Sequence, residues 1–200
     1  SNLTPQIFAR YRDDRLDEGM SASTVCRELS FMSVAIKKAV RLYNCWLPEH
    51  PIPNDIKPKE SPPRNRRLEE GEFDKLMIHC KTKKNAYWCS MIEFAIETAM
   101  RLNEQLTLTW DKVDLQNMLI TILAEHSKTG IQRKIPLTPR AIEILKQMPR
   151  HINGRVFPVS LNNFQRAWRS ITRRAEIKDL HWHDLRREAC SRLMESGLSI

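Results

Sequence analysis

A proline-rich stretch in the first third of the chain constrains the fold more than any other feature of the sequence. Six of the eleven prolines fall between Pro48 and Pro63. Proline has no backbone N–H and a fixed φ, so no helix and no central strand is expected there. The stretch and the residues after it also carry basic side chains, namely Lys57, Lys59, Arg64, Arg66 and Arg67. We therefore predict a helical piece over residues 1–56, an extended basic linker over 57–67, and a larger domain over 68–200.

The piece before the linker has the spacing of two helices. Ile7 and Tyr11 lie four residues apart, as on one face of a first helix, and Gly19 ends it. Ser23 or Thr24 is expected to cap a second helix, whose apolar residues recur every three or four positions. The members of that stripe are Val25, Leu29, Met32, Ile36, Val40 and Tyr43. Two helices bury little apolar surface, so this piece is expected either to have lost a preceding segment or to lean on another surface.

After the linker, helical and strand periodicities both occur. Apolar positions at helical spacing predict helices over Glu69–Lys81 and from Asn85 towards Met100. Alternation and β-branched residues predict three short strands, over Leu106–Trp110, Met118–Leu123 and Ile131–Leu137. Further helices are predicted after the Thr138-Pro139 cap, around Phe164, Trp168 and Ile171, and from about His183. The predicted fold class is mainly α with a small three-stranded antiparallel sheet, an α+β arrangement.

Composition excludes several classes of protein and favours a polyanionic partner. Hydrophobic residues make up 41% and charged residues 28%, which is too apolar for a disordered chain, and no apolar run is long enough to span a bilayer. The five cysteines show no C-x-x-C spacing, which argues against a disulfide scaffold and favours a reducing cytoplasm. The net charge is +9, and the stretch from His126 to Arg140 has basic residues but no acid. This distribution favours binding to nucleic acid.

Four polar residues stand out on these elements, although each has an ordinary structural explanation. Arg101 follows an apolar helix, whose dipole it would complement. Lys128 lies at a predicted hairpin tip, where lysines are commonly solvated. His183 and Arg186 share one helix face at i and i+3, as surface pairs often do. Their order along the chain is more informative than any one of them.

The motifs around these residues are M-R-L-N-E-Q-L at 100–106, S-K-T-G at 127–130 with I-P-L at 135–137, and H-D-L-R at 183–186. In this order they resemble the catalytic domain of the tyrosine recombinases, the phage-integrase family. The segments at 21–29 and 66–72 resemble that family's core-binding helices and the entry to its catalytic domain. The resemblance therefore covers essentially the whole chain. It implies a partial, DNA-clamping core-binding domain over 1–56 and a catalytic domain over 68–200.

The same resemblance implies a role for each site residue. Arg101 and Arg186 would clamp the nonbridging oxygens of a DNA phosphodiester. His183 would exchange protons with the phosphate, Lys128 would protonate the leaving 5′-oxygen, and Glu104 would orient Arg101. No cofactor is implied, and the histidines of H-W-H at 181–183 lack further ligands at zinc spacing, so no metal is expected. The residues expected to contact DNA are Lys57, Lys59, Arg64, Arg66, Arg67, Arg133, Arg166 and Arg169.

The chain departs from the family pattern at the nucleophile. The family uses a tyrosine that follows H-x-x-R, whereas the three tyrosines here, Tyr11, Tyr43 and Tyr87, all precede Arg101. We therefore expect a fragment that is cut at both ends, contains no nucleophile and is deficient in cleavage. A smaller departure is the Ala99-Met100 pair, where the family often has a glycine.

The full protein is expected to be a bacterial or phage-encoded, cytoplasmic site-specific recombinase that forms a covalent 3′-phosphotyrosine intermediate. Its expected partners are double-stranded DNA and further recombinase subunits in a tetrameric synapse, with no membrane. Two alternatives remain open. One is a DNA-binding module without catalysis on the same scaffold, and the other is a DNA-relaxing enzyme that resembles type IB topoisomerases.

Overall fold

The computed structural model describes residues 3–47, 49–81, 87–127 and 130–197. The chain divides into two compact units, Ser1–Arg64 and Asn65–Ile200. Among the described residues, no helix is both long enough and apolar enough to cross a membrane.

The first unit contains the two predicted helices, α1 (Pro5–Asp17) and α2 (Ala22–Tyr43). The cap of α2 is Ser21, so the prediction of Ser23 or Thr24 was wrong. The Ser21 hydroxyl accepts a hydrogen bond from the Thr24 backbone N–H at 3.2 Å, which places Thr24 in the first turn. The core of the unit consists of Phe8, Val25, Leu29, Ile52 and Ile56.

The apolar stripe of α2 is covered only in its first half. Val25 and Leu29 are fully buried, whereas Val40 and Tyr43 are exposed, Tyr43 by 77%. The Pro-rich segment supplies the remaining core through Ile52 and Ile56, and residues Asn54–Ile56 form a single 3-10 turn. The expectation that no helical structure occurs there was therefore wrong for one turn. A 3-10 turn needs so few backbone N–H donors that prolines on either side do not prevent it.

The second unit is mostly helical around a small sheet, as the predicted fold class requires. Its elements are α3 (Glu72–Lys81), α4 (Tyr87–Thr98), α5 (Leu102–Thr107), β1 (Val113–Asp114), β2 (Leu119–Ile122), β3 (Arg133–Pro136), α6 (Pro139–Gln147), α7 (Leu161–Arg174) and α8 (Trp182–Glu195). The strands pair antiparallel in the order β1-β2-β3, with Ile120 opposite Ile135. The Thr138 hydroxyl caps α6 through the Ala141 N–H, as predicted.

The first predicted strand, over Leu106–Trp110, is not a strand. Leu106 and Thr107 end α5, Thr109 makes an isolated bridge to Arg155, and Trp110 begins a 3-10 turn, so the first strand of the sheet is β1. The alternation of leucines and threonines is too short to distinguish a strand from a helix. Here Glu104 decides in favour of the helix, because its carboxylate accepts a hydrogen bond from the Arg101 N–H at 2.9 Å and so closes the first turn of α5.

Aromatic packing fixes α7 against the start of α8. Phe164, Trp168 and Ile171 are buried on one face of α7, as predicted. Trp182 meets Phe164 edge-on, with ring centroids 4.7 Å apart, and Trp168 in the same way at 5.0 Å. With this face held inward, the opposite face of α7 is exposed. It bears four arginines, Arg166, Arg169, Arg173 and Arg174.

A left-handed residue separates α4 from α5. Ala99 has a φ of 51°, and its N–H still bonds to the Ala95 carbonyl at 3.0 Å, so it occupies the position that glycine usually takes after a helix. The chain turns there and delivers Arg101 to the start of α5. The family often has a glycine near this position. Here the residue is alanine, but its backbone has the left-handed conformation that glycine adopts most readily.

We predict that Ala99→Gly stabilises the second unit by about 1 kcal/mol, because glycine adopts a positive φ without the steric cost that alanine bears. The matched control is Ala95→Gly in the buried interior of α4, which should destabilise the unit by about 1 kcal/mol or more. Urea unfolding, followed by the fluorescence of the buried Trp168 and Trp182, measures both changes. The same sign for the two variants would contradict the conformation assigned to Ala99.

Candidate active site

A buried carboxylate organises the candidate site. The Glu104 side chain is only 1% exposed. Its Oε2 accepts hydrogen bonds from the Arg101 N–H at 2.9 Å and from Arg133 Nη2 at 2.7 Å, while its Oε1 accepts one from Arg101 Nη1 at 3.0 Å. One carboxylate therefore joins α5 to β3.

The pKa of Glu104 reflects a balance between burial and these hydrogen bonds. Burial is the largest single influence and acts to raise the pKa, because it disfavours the charged form. The hydrogen bonds from Arg133 and from the backbone and side chain of Arg101 together outweigh it, so the pKa lies below its ordinary value. Glu104 is consequently ionised at neutral pH.

Arg186 lies on α8, partly buried beside this carboxylate network. Its Nη1 donates a hydrogen bond to the Ala99 carbonyl, which the turn after α4 presents. Burial lowers the pKa of Arg186, and the positive charge of Arg101 lowers it further. Arginine remains charged in spite of such shifts, so two guanidiniums repel each other here in partly desolvated surroundings. An anion placed between them would relieve that repulsion.

His183 precedes Arg186 by one turn of α8 and is exposed. Partial desolvation lowers its pKa, and the charges of Arg187, Arg186 and Arg101 act in the same direction. Because the ordinary pKa is about 6.5, the imidazole is mainly neutral at pH 7. A neutral imidazole can donate one hydrogen bond and accept another, which suits proton exchange with a bound anion.

Arg101, Glu104 and His183 border a cleft of about 470 Å³. The lining includes Arg101, Asn103, Glu104, His126, Ser127 and His183. The cleft thus lies where α5, the segment after β2 and the start of α8 meet. The sequence assigned no role to Asn103, His126 or Ser127. Asn103 and Ser127 nevertheless lie within the motifs at 100–106 and 127–130, and His126 directly precedes the second motif.

The remaining predicted site residues have different surroundings. Lys128 lies outside the described residues. Arg133 was expected to contact DNA, yet its guanidinium is bonded to Glu104. The sequence carried a signal for the face but not for the partner: Arg133 lies two residues before Ile135 on a strand, so the two side chains share one face of the sheet.

The basic linker residues also differ from one another. Arg66 donates to the buried Glu72, and Arg67 pairs with Glu188 at 3.0 Å and with Glu195 at 2.7 Å. These two guanidiniums tie the start of the second unit to α3 and α8, so their assignment as DNA contacts stays a prediction without support from the structure. Lys59, Arg166 and Arg169 are exposed, and Lys57 and Arg64 are partly exposed.

We predict that Glu104→Gln lowers the free energy of unfolding at pH 7 by about 2 kcal/mol or more, since hydrogen bonds to charged groups contribute about 1.5–3 kcal/mol each. The native pKa of Glu104 is depressed, so its contribution is fully present above the unfolded value of about 4.3 and is lost as the pH falls below it. The difference between wild type and variant should therefore shrink on acidification. Urea unfolding at a series of pH values measures it.

The matched control is Glu143→Gln on α6. Glu143 also pairs with an arginine, Arg140, but its side chain is 59% exposed. Exposed ion pairs contribute little to stability, so this variant should unfold within about 1 kcal/mol of wild type. Equal losses for the two variants, or a Glu104→Gln effect that does not change with pH, would contradict the role given to the buried carboxylate.

The chain is 36% identical over 203 residues to the shufflon-specific DNA recombinase of Escherichia coli, an alignment that covers 98% of this chain and 52% of that protein. The chain spans about half the length of the curated relatives it matches.

Two solved structures have the same fold. The integrase of the Tn1549 transposon, in complex with a circular intermediate DNA, matches with a TM-score of 0.78 at 15% identity and covers 100% of this chain and 75% of that chain. A lambda integrase tetramer bound to a Holliday junction matches with a TM-score of 0.72 at 20% identity and covers 99% of this chain and 59% of that chain. The model of the phage integrase family matches residues 66–200. The chain therefore belongs to the phage integrase family of tyrosine recombinases.

Proposed function

We propose that this chain contains the phosphate-binding core of a site-specific DNA recombinase, which cleaves and rejoins DNA strands through a covalent 3′-phosphotyrosine intermediate. The observation that carries the proposal is the pair Arg101 and Arg186. Both guanidiniums are partly buried, the charge of Arg101 lowers the pKa of Arg186, and together they present more positive charge than Glu104 can neutralise. A scissile phosphodiester supplies the anion that this arrangement lacks.

The proposed chemistry assigns one task to each group. A tyrosine hydroxyl attacks phosphorus and releases its proton to solvent, and the bond from phosphorus to the 5′-oxygen breaks. Arg101 and Arg186 stabilise the added charge on the nonbridging oxygens, where preorganised donors have their largest effect. His183 exchanges a proton at the phosphate, and Lys128 donates the proton that the leaving 5′-oxygen takes. The reverse sequence rejoins the strand, because the phosphotyrosine bond retains the energy of the broken phosphodiester.

The nucleophile in this proposal comes from outside the described site. Tyr11 donates a hydrogen bond to Glu28 in the first unit, and Tyr43 is exposed on α2. Tyr87 begins α4, whose twelve residues extend about 18 Å before Arg101 is reached. None of the three tyrosines lines the cleft that holds Arg101 and His183.

The proposed DNA contacts are electrostatic and come from both units. The exposed arginines of α7 offer a strip of positive charge suited to a phosphate backbone. In this proposal residues 1–56 form a core-binding domain and residues 68–200 the catalytic domain. The linker between them would add further DNA contacts through Lys57, Lys59 and Arg64. The solved relatives bind DNA, one of them as a tetramer on a Holliday junction. We propose a tetrameric synapse on double-stranded DNA for this protein as well, in the bacterial cytoplasm.

We predict that the chain binds duplex DNA with an affinity that falls steeply with salt. Each neutralised phosphate contributes roughly 0.9 to the slope of log K against log salt, so Arg166→Gln with Arg169→Gln should reduce that slope by about 2. The control is Arg140→Gln, because Glu93 and Glu143 already neutralise this arginine. Anisotropy titrations at several salt concentrations measure the slopes, using duplexes selected from a random pool. An affinity that is independent of salt, or equal slopes for the two sets of variants, would contradict the proposed surface.

We predict that Arg101→Ala or Arg186→Ala in the full-length protein slows strand cleavage by at least about 10²-fold, on the order of 3–4 kcal/mol, as the loss of one preorganised donor does. Duplex binding should fall much less, because one contact among many contributes about 1 kcal/mol. Covalent adducts with a nicked duplex of the selected sequence are counted on denaturing gels.

Two comparisons complete this experiment. Arg140→Ala should cleave as wild type does, since Arg140 lies on α6 and bonds to Glu93 and Glu143. The present chain, incubated with the same duplex, should bind it without forming an adduct. Normal cleavage by an Arg101 or Arg186 variant would refute the role of that arginine, and an adduct with the present chain that disappears on Tyr87→Phe would refute the external nucleophile.

A further inference from the structure

Arg133 connects strand β3 to the arginine cluster, which consists of Arg101, Arg133 and Arg186 around Glu104. It begins β3, five residues after Lys128, and its side chain is 30% exposed. Its Nη2 donates to Glu104 Oε2 at 2.7 Å, and its Nη1 makes a longer contact of 3.4 Å with the hydroxyl of Ser127. The shorter bond goes to a charged and buried acceptor, so it is the stronger of the two.

Glu104 shares its Oε2 atom between Arg133 and the backbone of Arg101. Its Oε1 atom holds the Arg101 side chain. If the Arg133 bond were lost, the buried carboxylate would keep its desolvation but lose a charged partner. Such a group rotates towards other donors or takes up a proton, and in either case the orientation of Arg101 is no longer fixed.

We infer that Arg133 is a positioning residue for the recombination reaction, which acts on the phosphate through Glu104 and Arg101 rather than by touching DNA itself. This inference rests on the proposed function. It replaces the sequence-based assignment of Arg133 as a DNA contact. The two roles differ in what they predict, because a DNA contact affects binding, whereas a positioning residue affects the rate of cleavage at equal binding.

The test uses the full-length protein with Arg133→Met, which keeps an unbranched side chain and removes the charge. Cleavage of the nicked duplex should slow by roughly tenfold to a hundredfold, because a displacement of about 1 Å at a reacting group has an effect of this size. Binding of the duplex should remain within about twofold of wild type. Arg140→Met is the matched control, since Arg140 also bonds to two carboxylates but lies outside the cluster, and it should leave both quantities unchanged.

Two readouts distinguish positioning of Arg101 from a general loss of structure. In an Arg101→Ala background, Arg133→Met should slow cleavage by less than about twofold further, because residues that act through one another are not additive. On a duplex with an uncharged methylphosphonate at the scissile position, the defect of Arg133→Met should shrink in parallel with that of Arg101→Ala. Both defects have the same origin in this inference, namely poor neutralisation of the nonbridging oxygens.

Each result has a definite meaning. Wild-type cleavage by Arg133→Met, a fully additive double variant, or a defect that persists on methylphosphonate would overturn the inference and leave the proposed function standing. A defect confined to duplex binding would restore the assignment as a DNA contact. Failure of the wild-type protein to cleave any selected duplex would overturn the proposed function and this inference with it.

Discussion

The candidate site depends on one buried carboxylate. Glu104 would be costly to ionise in its surroundings without partners, and Arg101 and Arg133 supply them from α5 and β3. The same pairing benefits the arginines, because three guanidiniums, those of Arg101, Arg133 and Arg186, would otherwise repel one another in a partly desolvated space. Three guanidiniums against one carboxylate leave an excess of positive charge. The carboxylate thus compensates part of the positive charge, and the uncompensated remainder favours the binding of an anion.

Backbone conformation contributes as much to the site as side-chain charge does. The left-handed turn at Ala99 ends α4, brings Arg101 to the start of α5, and leaves the Ala99 carbonyl free to accept from Arg186. A helix that continued through residue 99 would use that carbonyl internally and would carry Arg101 on a different face. One turn therefore places both arginines, although 85 residues separate them in the sequence.

The sequence predicted the long amphipathic helices and the fold class well. In these helices the apolar residues recur every three or four positions, a spacing that matches a helix and not a strand. Phe164, Trp168 and Ile171 are examples, and all three are buried. The errors occurred where local patterns are short. Leu106 fits a strand as well as a helix, and a hydrogen bond from the Arg101 backbone to Glu104 closes the first turn of the helix to which Leu106 belongs. The exposed half of α2 was not predictable either, since periodicity indicates which face is apolar but does not reveal what covers it.

The site was predictable as a set of residue types and much less so as a set of partners. The predicted last helix carries His183 and Arg186, as α8 does, but α5, which begins after Arg101 and contains Glu104, was not predicted. The pairing of Arg133 with Glu104 joins positions 29 residues apart. Such pairings arise from strand register and from the depth of a cleft, which composition and spacing do not encode. The same limit explains Arg66 and Arg67, whose charges suggested DNA but whose partners are Glu72, Glu188 and Glu195.

Helix α8 shows how charge is kept available for a ligand on a surface rich in ion pairs. Its buried acids, Asp184 and Glu188, bond to Arg187, Arg67 and Arg192. Arg186 lies between these acids in the sequence but points towards the Ala99 carbonyl, a neutral acceptor that orients the guanidinium without cancelling its charge. Arg101, by contrast, is oriented by a carboxylate that it shares with Arg133. Glu104 therefore orients Arg101, and the Ala99 carbonyl orients Arg186. Both side chains are held in place while the net charge of the arginines and Glu104 stays positive. In the proposed function, a phosphodiester would therefore meet donors that are already oriented, so that no energy is spent on reorganising them as negative charge develops on the phosphate.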